Sequence, residues 1–218
     1  GDMTVASDLD ISNCDLVVAG TLTISNNMTL KVNNVTATAS SGNGININTN
    51  ATIIAIDVNS SGMGIGAEGI NNKGVLNATD ITASGTPAGA GISNTGTMTI
   101  ENEIFGTGGV GGITNSGNLT AKQVKGIIAD LTGYSDLGGV INSGTIKAIT
   151  VIGKSDRSID VPGGPTKLGI VNNSLGLIEA TTVSYCLEIT NSGKIIGKIS
   201  CNCEDSTQCS GTAPTQCT

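Results

Sequence analysis

The side chains with most chemical potential in this sequence are six cysteines, four of them within the last 18 residues. They are Cys14, Cys186, Cys201, Cys203, Cys209 and Cys217. An even number of cysteines in a chain without histidine favours disulfide bonds formed in an oxidising compartment. The alternative is a thiolate metal cluster, but the Cys-x-Cys…Cys-x7-Cys spacing matches no standard zinc pattern. We therefore expect disulfides, and the sequence leaves their pairing open.

Cys14 is isolated, about 170 residues from Cys186 along the chain. If the fold is elongated, the two ends of the chain are far apart. Cys14 is then either free or bonded to another chain, which makes it a candidate for covalent assembly.

An acidic position recurs at Asp57, Asp80 and Glu103, each just before a β-branched residue. If these residues lie on stacked strands about 4.8 Å apart, their carboxylates form a column. Such a column could share a hard cation such as Ca²⁺, which prefers oxygen ligands. The alternative is a solvated column that tolerates its own repulsion. No other cofactor is expected.

Composition excludes several functions. The usual base for a serine or cysteine nucleophile is missing because there is no histidine, and only three residues are aromatic. The acidic column also has no lysine or arginine in register nearby, so we predict that the chain is not an enzyme. Ten basic residues against 17 acidic ones give a net charge of −7, which argues against nucleic-acid binding. No run of about 18 apolar residues is present, so no membrane-spanning helix is predicted.

An internal repeat, Ile-x-Asn-x-Gly-x-Leu-x-Ala, runs through most of the chain and contains the acidic position described above. The clearest copies are INNKGVLNATDI (70–81), ISNTGTMTIENEI (92–104), ITNSGNLTAKQV (113–124) and INSGTIKAITV (141–151). Weaker copies begin at residues 16, 47, 170 and 189. The anchoring small residues are Gly20, Ala51, Gly74, Gly96, Gly117, Gly144, Gly176 and Gly193.

Within each copy, apolar and polar residues alternate, which predicts short strands with one inward face. Ile113, Leu119, Ala121 and Val124 are expected in the core, and Thr114, Asn118 and Thr120 outside. A unit of 20–30 residues cannot bury its own apolar face, whereas stacked units can. The sequence therefore predicts an all-β, single-domain parallel β-helix (β-solenoid) of about eight rungs. Its repeats span 16–199, between an N-terminal edge or cap segment (1–15) and a Cys-rich tail (200–218).

This repeat resembles that of parallel β-helices in secreted adhesins and autotransporter passenger regions. The resemblance covers about residues 16–199 and implies an extracellular or cell-surface location, stacked rungs and a surface or structural role. Six cysteines exceed the usual number in such passengers.

A column of asparagines in register with the repeat predicts a ladder of stacked side-chain amides. Its members are Asn72, Asn94, Asn115, Asn142, Asn172 and Asn191.

Seven Asn-x-Ser/Thr sequons are candidate glycosylation sites if the chain is secreted by a glycosylating cell. They are at Asn27, Asn34, Asn50, Asn59, Asn77, Asn118 and Asn172. Only the outward-facing members of this set could carry sugar.

The function predicted from the sequence is that of an extracellular structural protein, a β-solenoid subunit that self-associates end to end into a filament. Disulfide links between subunits are a further expectation. Open solenoid ends present unpaired strand edges, and a contact that does not close gives a fibre. The alternative is a monomeric surface adhesin or glycan-binding stalk module, with surface glycans as partners.

Overall fold

A computed structural model describes residues 1–86, 88–128, 137–155, 167–185 and 189–201 as strands and tight turns, with no helix in these ranges. The strands are β1 (Met3–Val5), β2 (Leu9–Ile11), β3 (Leu16–Val18), β4 (Leu22–Ile24), β5 (Thr29–Val32), β6 (Asn34–Thr38), β7 (Ile45–Ile47), β8 (Thr52–Ile54), β9 (Asp57–Ser61), β10 (Ile70–Asn72), β11 (Val75–Ala78), β12 (Asp80–Ser84), β13 (Ala90–Asn94), β14 (Thr97–Ile100), β15 (Glu103–Gly108), β16 (Gly111–Asn115), β17 (Asn118–Ile128), β18 (Leu137–Asn142), β19 (Thr145–Ser155), β20 (Lys167–Asn172), β21 (Leu177–Tyr185), β22 (Ile189–Asn191) and β23 (Lys194–Cys201).

The strands form a succession of stacked turns with three faces, and all pairs between these strands are parallel. The first face is a nine-stranded sheet ordered β1-β4-β7-β10-β13-β16-β18-β20-β22. The second and third faces begin as β2-β5-β8-β11-β14 and β3-β6-β9-β12-β15. They merge at β17, whose first half pairs with β14 and whose second half pairs with β15. The predicted parallel β-solenoid is confirmed.

The core follows the predicted alternation. Ile113, Leu119 and Val124 are fully buried and Ala121 is 6 % exposed, whereas Asn118 and Thr120 are exposed. Equivalent aliphatic residues stack from turn to turn, as in Ile70, Ile92 and Ile113 of the first face. β-branched side chains suit this arrangement because they pack well on a pleated surface.

One predicted repeat copy is out of phase. The sequence aligns Gly20 with Ala51, but Leu22 pairs with Ile45, and the residue equivalent to Ala51 is Met28. The alignment fails because alternation shows which residues point inward but not which face they belong to. At this corner, the early turns carry Ile24 and Ile47 where the later turns have the ladder asparagine. They carry Met28 and Ala51 where the later turns have glycine.

Glycine is required where successive corners stack. A Cβ atom at Gly117 would overlap the carbonyl oxygen of Gly96, and one at Gly96 would overlap that of Gly74. The corner backbones therefore approach too closely for any side chain, which explains the repeated Asn-x-Gly element.

Candidate functional site

The predicted asparagine ladder is present and runs along one corner of the solenoid. Each Nδ2 donates a hydrogen bond to the Oδ1 of the asparagine in the following turn. The distances are 2.7 Å (Asn72 to Asn94), 2.7 Å (Asn94 to Asn115), 2.8 Å (Asn115 to Asn142), 2.9 Å (Asn142 to Asn172) and 2.7 Å (Asn172 to Asn191). The first five residues are buried and Asn191 is half-buried. All donors point toward the C-terminal end, so the ladder has a direction.

The ladder begins abruptly at Asn72. Asn72 pairs with Ile47 in the preceding turn, and Ile47 pairs with Ile24, so the same column is aliphatic nearer the N-terminus. With no asparagine to donate to it, the Oδ1 of Asn72 accepts the backbone N–H of Gly74 instead, at 3.2 Å. The two aliphatic corners carry Asn27 and Asn50 in the left-handed region, at φ 63° and 59°. These corners therefore turn through backbone conformation, and the later ones through side-chain hydrogen bonds.

Asp57, Asp80 and Glu103 occupy neighbouring positions of one column on the third face, as the register of β9, β12 and β15 shows. Of the three carboxylates, that of Asp80 accepts hydrogen bonds from the next turn. Oδ1 of Asp80 accepts the backbone N–H of Glu103 at 3.0 Å, and Oδ2 accepts Nδ2 of Asn102 at 3.3 Å. Among the described residues, no three His, Cys, Asp or Glu side chains are grouped so as to hold a metal ion. In this arrangement, the Asp80 side chain links its own turn to the next.

The structure adds one acidic residue that the sequence did not single out. Glu68 is half-buried, and its Oε2 is buried without a hydrogen-bond partner. Burial raises the pKa of this carboxyl above its ordinary value of 4.5, although hydrogen bonds with Ser93 and Asn71 oppose the shift. No sequence signal marks this residue, because its burial depends on side chains of neighbouring turns.

The cysteines are only partly within the described residues. Cys14 is exposed and free within the described part of the chain, at a corner of the first turn. Cys201 ends β23, opposite Tyr185. Cys186, Cys203, Cys209 and Cys217 lie outside the described residues. The predicted disulfides therefore stay a prediction.

The sequons differ in accessibility. Asn27, Asn50, Asn59 and Asn118 are exposed, and Asn34 and Asn77 are half-buried. The prediction for Asn172 needs correction. Its Nδ2, the atom that would carry a glycan, is buried in the ladder and bonded to Asn191 Oδ1.

The two ends of the described solenoid are open. We call β1–β3 (residues 1–18) the N-terminal turn, and β22–β23 (residues 189–201) the C-terminal turn. Within the described residues, each of these strands has a neighbour on one side only. Inward-facing Met3, Leu9 and Leu16 are half-buried, whereas the equivalent residues one turn further, Leu22, Leu30 and Val35, are fully buried. The core is therefore incompletely covered at the N-terminal turn.

Charge distinguishes these two ends. The N-terminal turn carries four aspartates and no lysine or arginine, and they are Asp2, Asp8, Asp10 and Asp15. The C-terminal turn carries Lys194 and Lys198 and no acidic residue. Asp8, Asp15, Lys194 and Lys198 are all exposed.

Together, the fold and these features define a parallel β-solenoid with an internal asparagine ladder. Comparison with protein-family models, curated proteins and solved structures finds no significant match. Among the described residues, no helix is long and apolar enough to span a membrane.

Proposed function

We propose that the chain is an extracellular structural protein whose β-solenoid self-associates end to end into a filament. The observation that carries the proposal is that, within the described residues, strands β1–β3 and β22–β23 each have a neighbouring strand on one side only. Such edges template pairing with another chain, and a parallel solenoid presents matching strand directions at its two ends.

Burial supports the same conclusion. Half-buried Met3, Leu9 and Leu16 would become covered if a second copy supplied the missing neighbouring turn. Burying these apolar side chains would stabilise the contact in proportion to the area removed from water, by about 25 cal/mol per Å². A head-to-tail contact joins the two different ends of identical subunits and does not close on itself, so it propagates into a fibre.

The extracellular assignment is supported by the six cysteines in a chain without histidine and by the exposed Cys14. A filament with reductant-sensitive links would place Cys14 at or near the joints. The proposed role is non-enzymatic, and it makes a second copy of the chain the principal partner.

The first test is the assembly state of the native protein, by negative-stain microscopy and sedimentation with and without reductant, beside a non-reducing gel. Filaments support the proposal, and a ladder of bands that reductant collapses supports covalent joints. Discrete monomeric rods under all these conditions overturn it, and favour the alternative of a surface adhesin or glycan-binding stalk.

A variant of β1 tests the strand edge itself. The N–H of Met3 donates to Thr21 and the carbonyl of Val5 accepts from Ser25, so the N–H of Thr4 between them points to the open side. Thr4→Pro removes that donor without breaking a bond inside the solenoid. Thr4→Val keeps the donor and is the matched control. We expect slower and weaker assembly for Thr4→Pro alone, and equal assembly of the two variants argues against edge pairing.

A further inference from the structure

We propose that the end-to-end joint has a fixed register, in which Lys194 and Lys198 of one copy pair with Asp8 and Asp15 of the next. This inference rests on the proposed function and specifies its contact. Its basis is that the two residues of each proposed pair lie at the same position of the solenoid's cross-section, at opposite ends.

The first pair follows from the register of the second face. Asp8 precedes Leu9, which pairs with Leu30, and the Oδ1 of Asp8 accepts the backbone N–H of Thr29 at 2.8 Å. From Thr29 onward the column runs through Thr52, Val75, Thr97, Asn118, Thr145 and Leu177 to Lys194. Asp8 and Lys194 are therefore the first and last described members of one column.

The second pair follows from the third face. Asp15 precedes Leu16, which pairs with Val35, and the Oδ1 of Asp15 accepts Nδ2 of Asn34 at 2.9 Å. The column continues from Asn34 through Asp57, Asp80, Glu103, Gln123, Thr150 and Thr182 to Lys198. When a second copy stacks as the next turn, each lysine lies one strand spacing, about 4.8 Å, from its aspartate.

Ion pairs between neighbouring turns already occur within the chain. Lys31 Nζ lies 3.6 Å from Asp10 Oδ2, and Lys147 Nζ lies 3.3 Å from Glu179 Oε2, in both cases between residues paired across adjacent strands. An outward lysine on one turn therefore reaches a carboxylate on an adjacent turn, as Lys147 reaches Glu179 on the following one. The proposed joint repeats this contact between two copies.

The C-terminal end of the asparagine ladder is compatible with this joint, because a second copy would supply a hydrogen-bond acceptor for Asn191. The Nδ2 of Asn172 bonds both to Asn191 and to the carbonyl oxygen of Lys194 in the following turn, at 3.2 Å. At the joint, the next member of the asparagine column is Val5, which offers no acceptor. The next member of the Lys194 column is Asp8, whose backbone carbonyl is the corresponding acceptor for Asn191 Nδ2.

Charge also fixes the polarity of assembly. A head-to-tail contact places two lysines against two aspartates, whereas a head-to-head contact places the aspartates of two copies together. Like charges in contact disfavour the wrong arrangement, and opposite charges accelerate the correct encounter at low salt. The joint is therefore expected to form head to tail only, and to weaken as salt increases.

The experiment uses two charge-reversed forms of the full chain. One carries Lys194→Glu and Lys198→Glu, and the other carries Asp8→Lys and Asp15→Lys. Each alone brings like charges together at the joint, and we expect its critical concentration for assembly to rise about 10-fold or more at low salt. Mixed in equal amounts, the two forms offer opposite charges at every joint and should co-assemble. The measurements are sedimentation and light scattering, with microscopy of the mixture.

The matched control for the lysine-reversed form reverses two exposed lysines in the middle of the solenoid, Lys73→Glu and Lys122→Glu, which changes the net charge by the same amount. It should assemble as the unmodified chain does. A milder pair, Asp8→Asn and Asp15→Asn, keeps the side-chain oxygens that accept hydrogen bonds from the second turn, so it tests charge without disturbing the first turn.

The outcomes separate this inference from the proposed function. If each reversed form assembles as well as the unmodified chain, the proposed Lys–Asp pairing at the joint is wrong, but the proposed filament is not refuted. Failure of the mixture to recover assembly also overturns it, provided circular dichroism shows both forms folded. An unmodified chain that stays monomeric overturns the filament and, with it, the joint.

Discussion

Breaking the asparagine ladder in its middle should destabilise the solenoid by an amount that the hydrogen bonds allow us to estimate. In Asn115→Ala, the Oδ1 of Asn142 loses its ladder donor at 2.8 Å. The Nδ2 of Asn94 loses an acceptor at 2.7 Å but keeps the carbonyl oxygen of Asn118. A buried acceptor left unpaired costs about 1–3 kcal/mol and a second lost bond about 1 kcal/mol, so we expect a loss of about 2–4 kcal/mol.

A double-mutant cycle isolates the ladder bond itself. Asn142→Ala alone leaves the Oδ1 of Asn172 unpaired in the same way. In the double variant Asn115→Ala/Asn142→Ala, the orphaned Oδ1 of Asn142 is gone. The double variant should therefore be less destabilised than the sum of the single variants, by about 1–3 kcal/mol.

The assay is equilibrium unfolding in guanidinium chloride followed by circular dichroism, with amide hydrogen exchange to check that the whole solenoid unfolds together. The control pair is Asn72→Ala and Asn172→Ala, which lie four strand spacings apart, about 19 Å, and should be additive within about 0.5 kcal/mol. Additivity for both pairs would refute the reasoning, because it would mean that the ladder bonds do not couple adjacent turns.

Three further predictions concern stability. Glu68→Gln should raise the midpoint of unfolding at pH 7, because the raised pKa of Glu68 means that ionisation destabilises the folded state; this advantage should disappear below the ordinary pKa of 4.5, which paired unfolding curves at pH 7 and pH 4 would show. Gly117→Ala should destabilise by about 1–3 kcal/mol or more because its Cβ overlaps the Gly96 carbonyl, whereas Gly111→Ala, whose Cβ lies 3.2 Å or more from its neighbours, should cost less in the same thermal unfolding assay. Leu119→Ala should cost about 2–5 kcal/mol through the cavity it leaves in a fully buried site, as measured by guanidinium unfolding, and a loss below 1 kcal/mol would contradict the stacked core.

Much of the architecture could be predicted because most turns repeat the same local sequence signals, namely apolar–polar alternation and the Asn-x-Gly element. Alternation places Leu119 inside and Thr120 outside, and the recurring Asn-x-Gly marks a corner too tight for a Cβ. Prediction failed where these signals are missing. Leu22 has the alternating neighbours of a strand, but nearby Gly20 does not lie at the ladder corner. The sequence therefore aligns Gly20 with Ala51, whereas the structure pairs Leu22 with Ile45.

The candidate sites likewise divide into residues that the sequence predicts and residues that only the structure reveals. The ladder could be predicted from the sequence because six asparagines keep one register with isoleucine and glycine. The inaccessibility of Asn172 to glycosylation follows from its place in that ladder, which a local sequon does not reveal. Glu68 could not be found at all, because its burial comes from residues of another turn and not from its own neighbours.

By itself, the sequence determined that this chain stacks: short alternating strands cannot bury their apolar face alone, and the repeat supplies successive faces of the same shape. Only the tertiary structure decided which residues share a column, since loops of different length separate the turns and sequence distance does not measure register. That is why Asp8 and Lys194, nearly 190 residues apart, occupy one position of the cross-section at opposite ends. Their relation depends on every strand pairing between them, which local sequence cannot specify.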